Sequence, residues 1–271
     1  MKSFDDALPP EPPTVICLHS SAASGGQWKA LSETLSRDFN VLTPDLYGHG
    51  AAPGWHGPAD GIVAADVARV SRLAEGKESV HLVGHSYGGA IALRTALVLR
   101  DKVASVTVYE PVAMRTLFDY GGKHRPASEI AELTGYISRD LNGGALARAA
   151  QRFIVYWSGK EHWLRLKPER QAAIADRMRV IYAHFISLRR DVVRLADYRR
   201  IRVPVLYLVG SDTKRSAKRM SELLRSVLPR VHFMKMDAMG HLGPITHAPV
   251  VGERIAQFVR SMSGRSAATM A

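Results

Sequence analysis

One cysteine in 271 residues, Cys17, excludes an intrachain disulfide. Its place inside TVICLH marks it as a buried strand residue, not a reactive thiol. No uninterrupted apolar run is long enough to cross a bilayer. The opening segment, MKSFDDALPPEPP, lacks both the basic start and the apolar stretch of a signal peptide, so the expectation is a cytoplasmic protein. Acidic residues are scarce, 25 Asp and Glu against 37 Lys and Arg, which leaves a formal charge of +12. Such an excess raises nucleic acid or anionic lipid as a partner. Its distribution argues against both. Residues 112–200 hold 17 Lys and Arg against 9 Asp and Glu, interspersed at helical spacing as in RQAAIADRMRVIYAHF, which reads as a solvated helix face. The expected partner is a small molecule, with no nucleic acid and no membrane insertion. Neither a helix-borne metal motif nor a phosphate-cradling glycine loop is present, so no metal and no cofactor are expected.

With 46% hydrophobic and 23% charged residues, the chain has the balance of a folded globular protein of one domain carrying a subdomain. It is organised around Gly84-His85-Ser86-Tyr87-Gly88-Gly89, between a strand-like run ending at Val83 and a helix-like run from Gly89 to Leu99. Small residues two before and two after a serine let the chain reverse sharply from strand to helix and hold the hydroxyl on a strained tip. The turn also aims the helix N-terminus, with its free amides, at any oxyanion formed beside that hydroxyl. Ser86 is therefore the candidate nucleophile.

The elbow and the motifs flanking it in order resemble the α/β-hydrolase family from about Thr14 to about Met262. The resemblance implies an α/β fold: a mostly parallel sheet with helices on both faces, here without the family's first N-terminal strands, and an inserted helical cap. Core segments are expected over 1–111 and 201–271, with the cap over 112–200. The first expected strand, Thr14–Leu18, runs into His19-Ser20-Ser21, where the resemblance places the second oxyanion donor: the amide of Ser21 beside that of Tyr87. Ser20 stands where glycine is usual. The loop Asp45-Leu46-Tyr47-Gly48-His49-Gly50 matches a family motif whose Asp45 and His49 are expected to be structural. A Gly-His pair after the last strand, Val231 to Met236, and before a helix from about Pro249 makes His241 the catalytic base.

The acid is ambiguous. The family's usual aspartate position is occupied by Thr213, and Asp212 comes one residue early. Glu110 closes the strand after the nucleophile helix, from which dehalogenase-like relatives supply their acid. Both keep the order nucleophile, acid, histidine. Glu110 is placed ahead of Asp212 because its extra methylene extends its reach and a carboxylate in a cleft needs a cationic partner.

A serine activated by a histidine performs acyl transfer to water, so the expected reaction is hydrolysis of an ester or related acyl bond of a small, mostly apolar molecule. Cleavage of a carbon–carbon bond in a ring-cleavage product uses the same residues, and a ligand receptor of the same fold would retain them with little turnover. A haloalkane dehalogenase would need aspartate where Ser86 stands. The aromatic residues of the expected cap, among them Tyr136, Phe153 and Trp157, supply candidate pocket walls.

Overall fold

The computed structural model describes residues 11–119 and 124–268. The acidic, proline-rich start through Pro10 and the Gly121-Gly122 pair lie outside them. Six strands form one all-parallel sheet: β1 (Thr14–Leu18), β2 (Asn40–Leu42), β3 (Val80–His85), β4 (Val103–Tyr109), β5 (Val205–Gly210) and β6 (Val231–Met236), in the order β2-β1-β3-β4-β5-β6. The apolar runs of β1 and β5, and the mostly apolar β3, fit this position, because every residue in them is buried. Alternation within β1 divides the core. Ile16 and Leu18 join the larger apolar cluster on one face, and Val15 and Cys17 join a second cluster on the other. Burial also pushes the Cys17 thiol up in pKa, away from reactivity.

Helices α1 (Lys29–Leu35), α2 (Ile62–Leu73) and α3 (Tyr87–Leu99) connect the first four strands. Between β4 and β5 the strand-helix rhythm stops, and among the described residues six α-helices follow: α4 (Arg115–Phe118), α5 (Arg125–Asn142), α6 (Leu146–Ser158), α7 (Lys160–Arg165), α8 (Pro168–Asp176) and α9 (Met178–Arg189). The breaks fall at Gly143-Gly144 and at Lys167, ahead of Pro168, where φ > 0 at Gly144 and the missing amide of proline end regular helix. Helix α10 (Arg215–Val227) lies between β5 and β6, and α11 (Gly243–Thr246) and α12 (Ala248–Ala268) follow β6.

Parallel strands point their C-terminal ends the same way. Ser86 follows β3, Glu110 follows β4, Asp212 and Thr213 follow β5, and His241 lies beyond β6, so all of them gather at one edge of the sheet.

Candidate active site

At the elbow Ser86 takes φ 55° and ψ −114°, a conformation that costs a side-chain-bearing residue roughly 1–3 kcal/mol. The surroundings hold it there. Its amide donates to Tyr109 O at 3.0 Å and its carbonyl accepts from Val112 N at 3.1 Å. A Cβ at Gly84 would collide with the Gly88 backbone, and one at Gly88 with the carbonyls of Leu18 and His19, which is why small residues flank the serine. Tyr87 is the first residue of α3, so its amide is one of the four that a helix leaves unpaired. Across from it, the Ser20 amide donates to Gln27 Oε1 and the Ala22 amide to His49 Nε2. The Ser21 amide between them has no acceptor among the described residues. The two expected oxyanion donors are thus the free ones.

His241 Nε2 stands 2.9 Å from Ser86 Oγ, and its Nδ1 donates to Glu110 Oε2 at 2.7 Å. Two neighbours fix the backbone that carries it: His85 Nε2 donates to the His241 carbonyl at 2.7 Å, and Tyr109 Oη donates to the Gly240 carbonyl at 2.8 Å. His85 in turn accepts from Gln27 Nε2 at 3.1 Å, so one amide side chain links the Ser20 loop to the histidine. Burial holds His85 well below the ordinary imidazole pKa, which keeps it neutral with its single proton on Nε2. Trp157 of α6 stacks on the His241 ring at 4.3 Å.

Of the two candidate acids, the structure brings Glu110 to His241. Glu110 is 1% exposed; its Oε1 accepts from Gly210 N at 2.8 Å and its Oε2 also accepts from Thr213 Oγ1 at 2.6 Å. Asp212 is exposed, with its Oδ1 accepting from Ser211 Oγ. The side chain after β5 that touches the acid is therefore Thr213, as a donor. Asp45 and His49 take local roles: the carboxylate accepts from Gly25 N and Ala51 N, and the His49 ring from Ala22 N.

Ser86 and His241 open onto a cavity of about 160 Å³, walled chiefly by apolar side chains including Phe153, Ile154, Trp157 and Leu242. Tyr136 points elsewhere; it is exposed, with the Arg139 and Arg152 guanidinium groups over its ring. Two residues here had no local sequence signal: Gln27, and His184 of α9, whose Nδ1 lies 2.9 Å from Ser21 Oγ. Among the described residues no cluster of three or more His, Cys, Asp or Glu could hold a metal ion, and no helix is long and apolar enough to cross a membrane.

This geometry agrees with what the chain is similar to. A match to lipase LipV of Mycobacterium tuberculosis, 34% identical over 105 residues, spans only 38% of this chain and 39% of that protein. The putative 2-succinyl-6-hydroxy-2,4-cyclohexadiene-1-carboxylate synthase of Bacillus subtilis is 24% identical over 92% of this chain and 90% of its own. In structure, a thermophilic esterase from Thermogutta terrifontis superposes with a TM-score of 0.70 at 20% identity, covering 93% of this chain and 91% of the esterase. The profile described as "Alpha/beta hydrolase family" matches residues 15–253, and the chain belongs to that family.

Proposed function

We propose that this hydrolase is a serine enzyme that cleaves an ester or related acyl bond of a small, mostly apolar molecule through an acyl-enzyme. The observation that carries the reading is the continuous chain from Ser86 Oγ to His241 Nε2, at 2.9 Å, and from His241 Nδ1 to Glu110 Oε2, at 2.7 Å. A serine hydroxyl at its ordinary pKa is a weak nucleophile, and a base within hydrogen-bond reach removes that limit. As Ser86 Oγ attacks the carbonyl carbon, its proton passes to His241 Nε2. Glu110, fixed by Gly210 and Thr213, holds the proton on Nδ1 and stabilises the imidazolium. The amides of Ser21 and Tyr87 donate to the oxyanion; each such donor is worth about 3–4 kcal/mol of barrier. His241 then protonates the leaving group, and a water activated by the same nitrogen releases the acyl group and restores Ser86.

Residues 112–200 serve as a cap whose α6 supplies the pocket wall, over a core formed by 1–111 and 201–271. The enzyme acts on a small molecule in the cytoplasm, without nucleic acid or membrane insertion. A panel of p-nitrophenyl esters assayed with the natural chain and with Ser86→Ala tests the reading. Turnover that depends on Ser86 is expected; no hydrolysis of any ester by the natural chain, or equal hydrolysis by the variant, would overturn it.

A further inference from the structure

His184 lies on α9, outside the sheet, yet it touches both residues assigned to the oxyanion hole. Its Nδ1 is 2.9 Å from Ser21 Oγ, and its ring lies flat on the Tyr87 ring at 3.6 Å and 8°. The His49 ring also lies against it, with centroids 5.3 Å apart and planes at 20°, so rings from three segments pack together. Tyr87 is held at its far end too, its hydroxyl donating to Asp66 Oδ2 at 2.7 Å while Asp66 Oδ1 accepts from Tyr47 N at 2.9 Å. In the loop beside these rings Ala22 adopts φ 61° without being glycine. A second outside residue grips it there, Arg170 of α8, whose Nη2 donates to the Ala22 carbonyl at 2.5 Å.

A histidine is a costly choice for this position. It is 1% exposed, and its Nε2 finds no hydrogen-bond partner among the described residues. A buried ring nitrogen without a partner lowers stability, and a phenylalanine would stack on Tyr87 without that loss. What phenylalanine lacks is the nitrogen facing Ser21. We propose that His184 is a positioning residue for the oxyanion hole: it fixes the Ser21 loop through Nδ1 and the start of α3 through the Tyr87 ring, so that the two amides face one point. The geometry of the hole is then set by a helix of the 112–200 segment, not by the sheet alone. This rests on the serine-hydrolase reading above.

The test uses His184→Phe, which keeps the stacking and removes the hydrogen bond; His184→Asn, which keeps a hydrogen-bonding group near the Nδ1 position and removes the ring; and Ser21→Ala, which removes the hydroxyl and keeps the amide. Each is measured as full chain, with active sites titrated by a fluorophosphonate, for kcat, KM and affinity for a trifluoromethyl ketone. That ketone forms a tetrahedral adduct whose oxygen occupies the hole. Displacing the loop by a fraction of an ångström predicts, for His184→Phe, a fall in kcat per titrated site of on the order of 10- to 100-fold with KM little changed. Ketone affinity is expected to fall by the same factor as kcat/KM. Ser21→Ala is expected to lose a comparable factor, the double variant no more than the larger single loss, and His184→Asn less than His184→Phe. Unchanged ketone affinity in Ser21→Ala, or single losses that multiply in the double variant, would overturn the proposal, and the Ser21 arm decides alone if the His184 variants do not fold. If turnover of the natural chain survives Ser86→Ala, it is the serine-hydrolase reading that fails, and this inference with it.

Discussion

Glu110 follows β4, yet its carboxylate is anchored at the end of β5, where Oε1 accepts from Gly210 N at 2.8 Å. The residue itself sits at φ 43°, the left-handed region that side chains rarely adopt, and its amide donates to Leu208 O at 3.0 Å. That turn sends the side chain sideways across the strand ends instead of along its own strand. The acid thereby reaches the imidazole from β4, and Thr213 after β5 is left as its hydrogen-bond donor.

Glu110→Gln removes the charge that stabilises the imidazolium and frees the imidazole to adopt the wrong tautomer. The expected loss in kcat is roughly 10⁴-fold, as for amide replacement of a triad acid elsewhere. Asp212→Asn alters an exposed group bonded to Ser211 and is expected to leave kcat near the natural value. Steady-state kinetics of both variants on the best ester checks this, and the reverse ranking would move the acid to Asp212. Thr213→Val should fall between them, because it leaves Glu110 with the Gly210 amide and His241 as partners.

The elbow, the succession of strands along the chain and the position of His241 were readable because each is a local pattern: a small-residue turn between an apolar run and a helix, or a Gly-His pair after the last strand. The acid was not decided by sequence, since Glu110 and Asp212 both close strands and the separation of two strand ends from a third loop is a tertiary quantity. His184 was hidden for a related reason. In RVIYAHF it reads as one more residue of an amphipathic helix whose basic residues face solvent, and it is buried with Met178, Ile181, Phe185 and Leu188 on the other side of α9. Periodicity tells which side of a helix is apolar, but not that a polar ring on that side will find a serine 163 residues away.

Pocket size sets acyl length. A cavity of about 160 Å³ bounded by Phe153 and Trp157 admits short acyl groups, so the rate across p-nitrophenyl esters is expected to peak at short chains and decline with length. Phe153→Ala should move the optimum to longer chains, at a stability cost of about 3–5 kcal/mol because that ring is buried. An unchanged length profile in a folded Phe153→Ala protein would contradict the assignment of this cavity to the acyl group.

Acid should unfold the protein early. Burial holds His19, His49, His81, His85 and His184 below the ordinary imidazole value of 6.5, His49 at about 3 and His81 at about 4. Below pH 6.5 the unfolded chain takes up protons at these sites that the folded chain refuses, so their stabilisation is lost as pH falls from 6.5 toward 4. Asp66 opposes them: burial raises it to about 6 from 3.8, so its contribution is present below 3.8 and lost as pH rises through 6. The histidines outnumber the opposing carboxyl, so unfolding takes up protons on balance and stability is expected to fall as pH drops from 6.5 toward 5. Urea unfolding at pH 7.5 and 5.5 measures it, and His81→Gln should reduce the slope by about one proton. A flat profile would show that these histidines are not held neutral.

The central claim, that Ser86 is acylated with His241 as its base, is tested most directly by trapping the intermediate. The full chain is mixed with excess p-nitrophenyl ester, quenched in acid during the burst, digested, and its peptides weighed. The account predicts an acyl mass on the peptide containing Ser86, near one per active site, absent from Ser86→Ala and from His241→Ala along with turnover. An acyl group on another residue, or steady hydrolysis by Ser86→Ala at the natural rate, would contradict it.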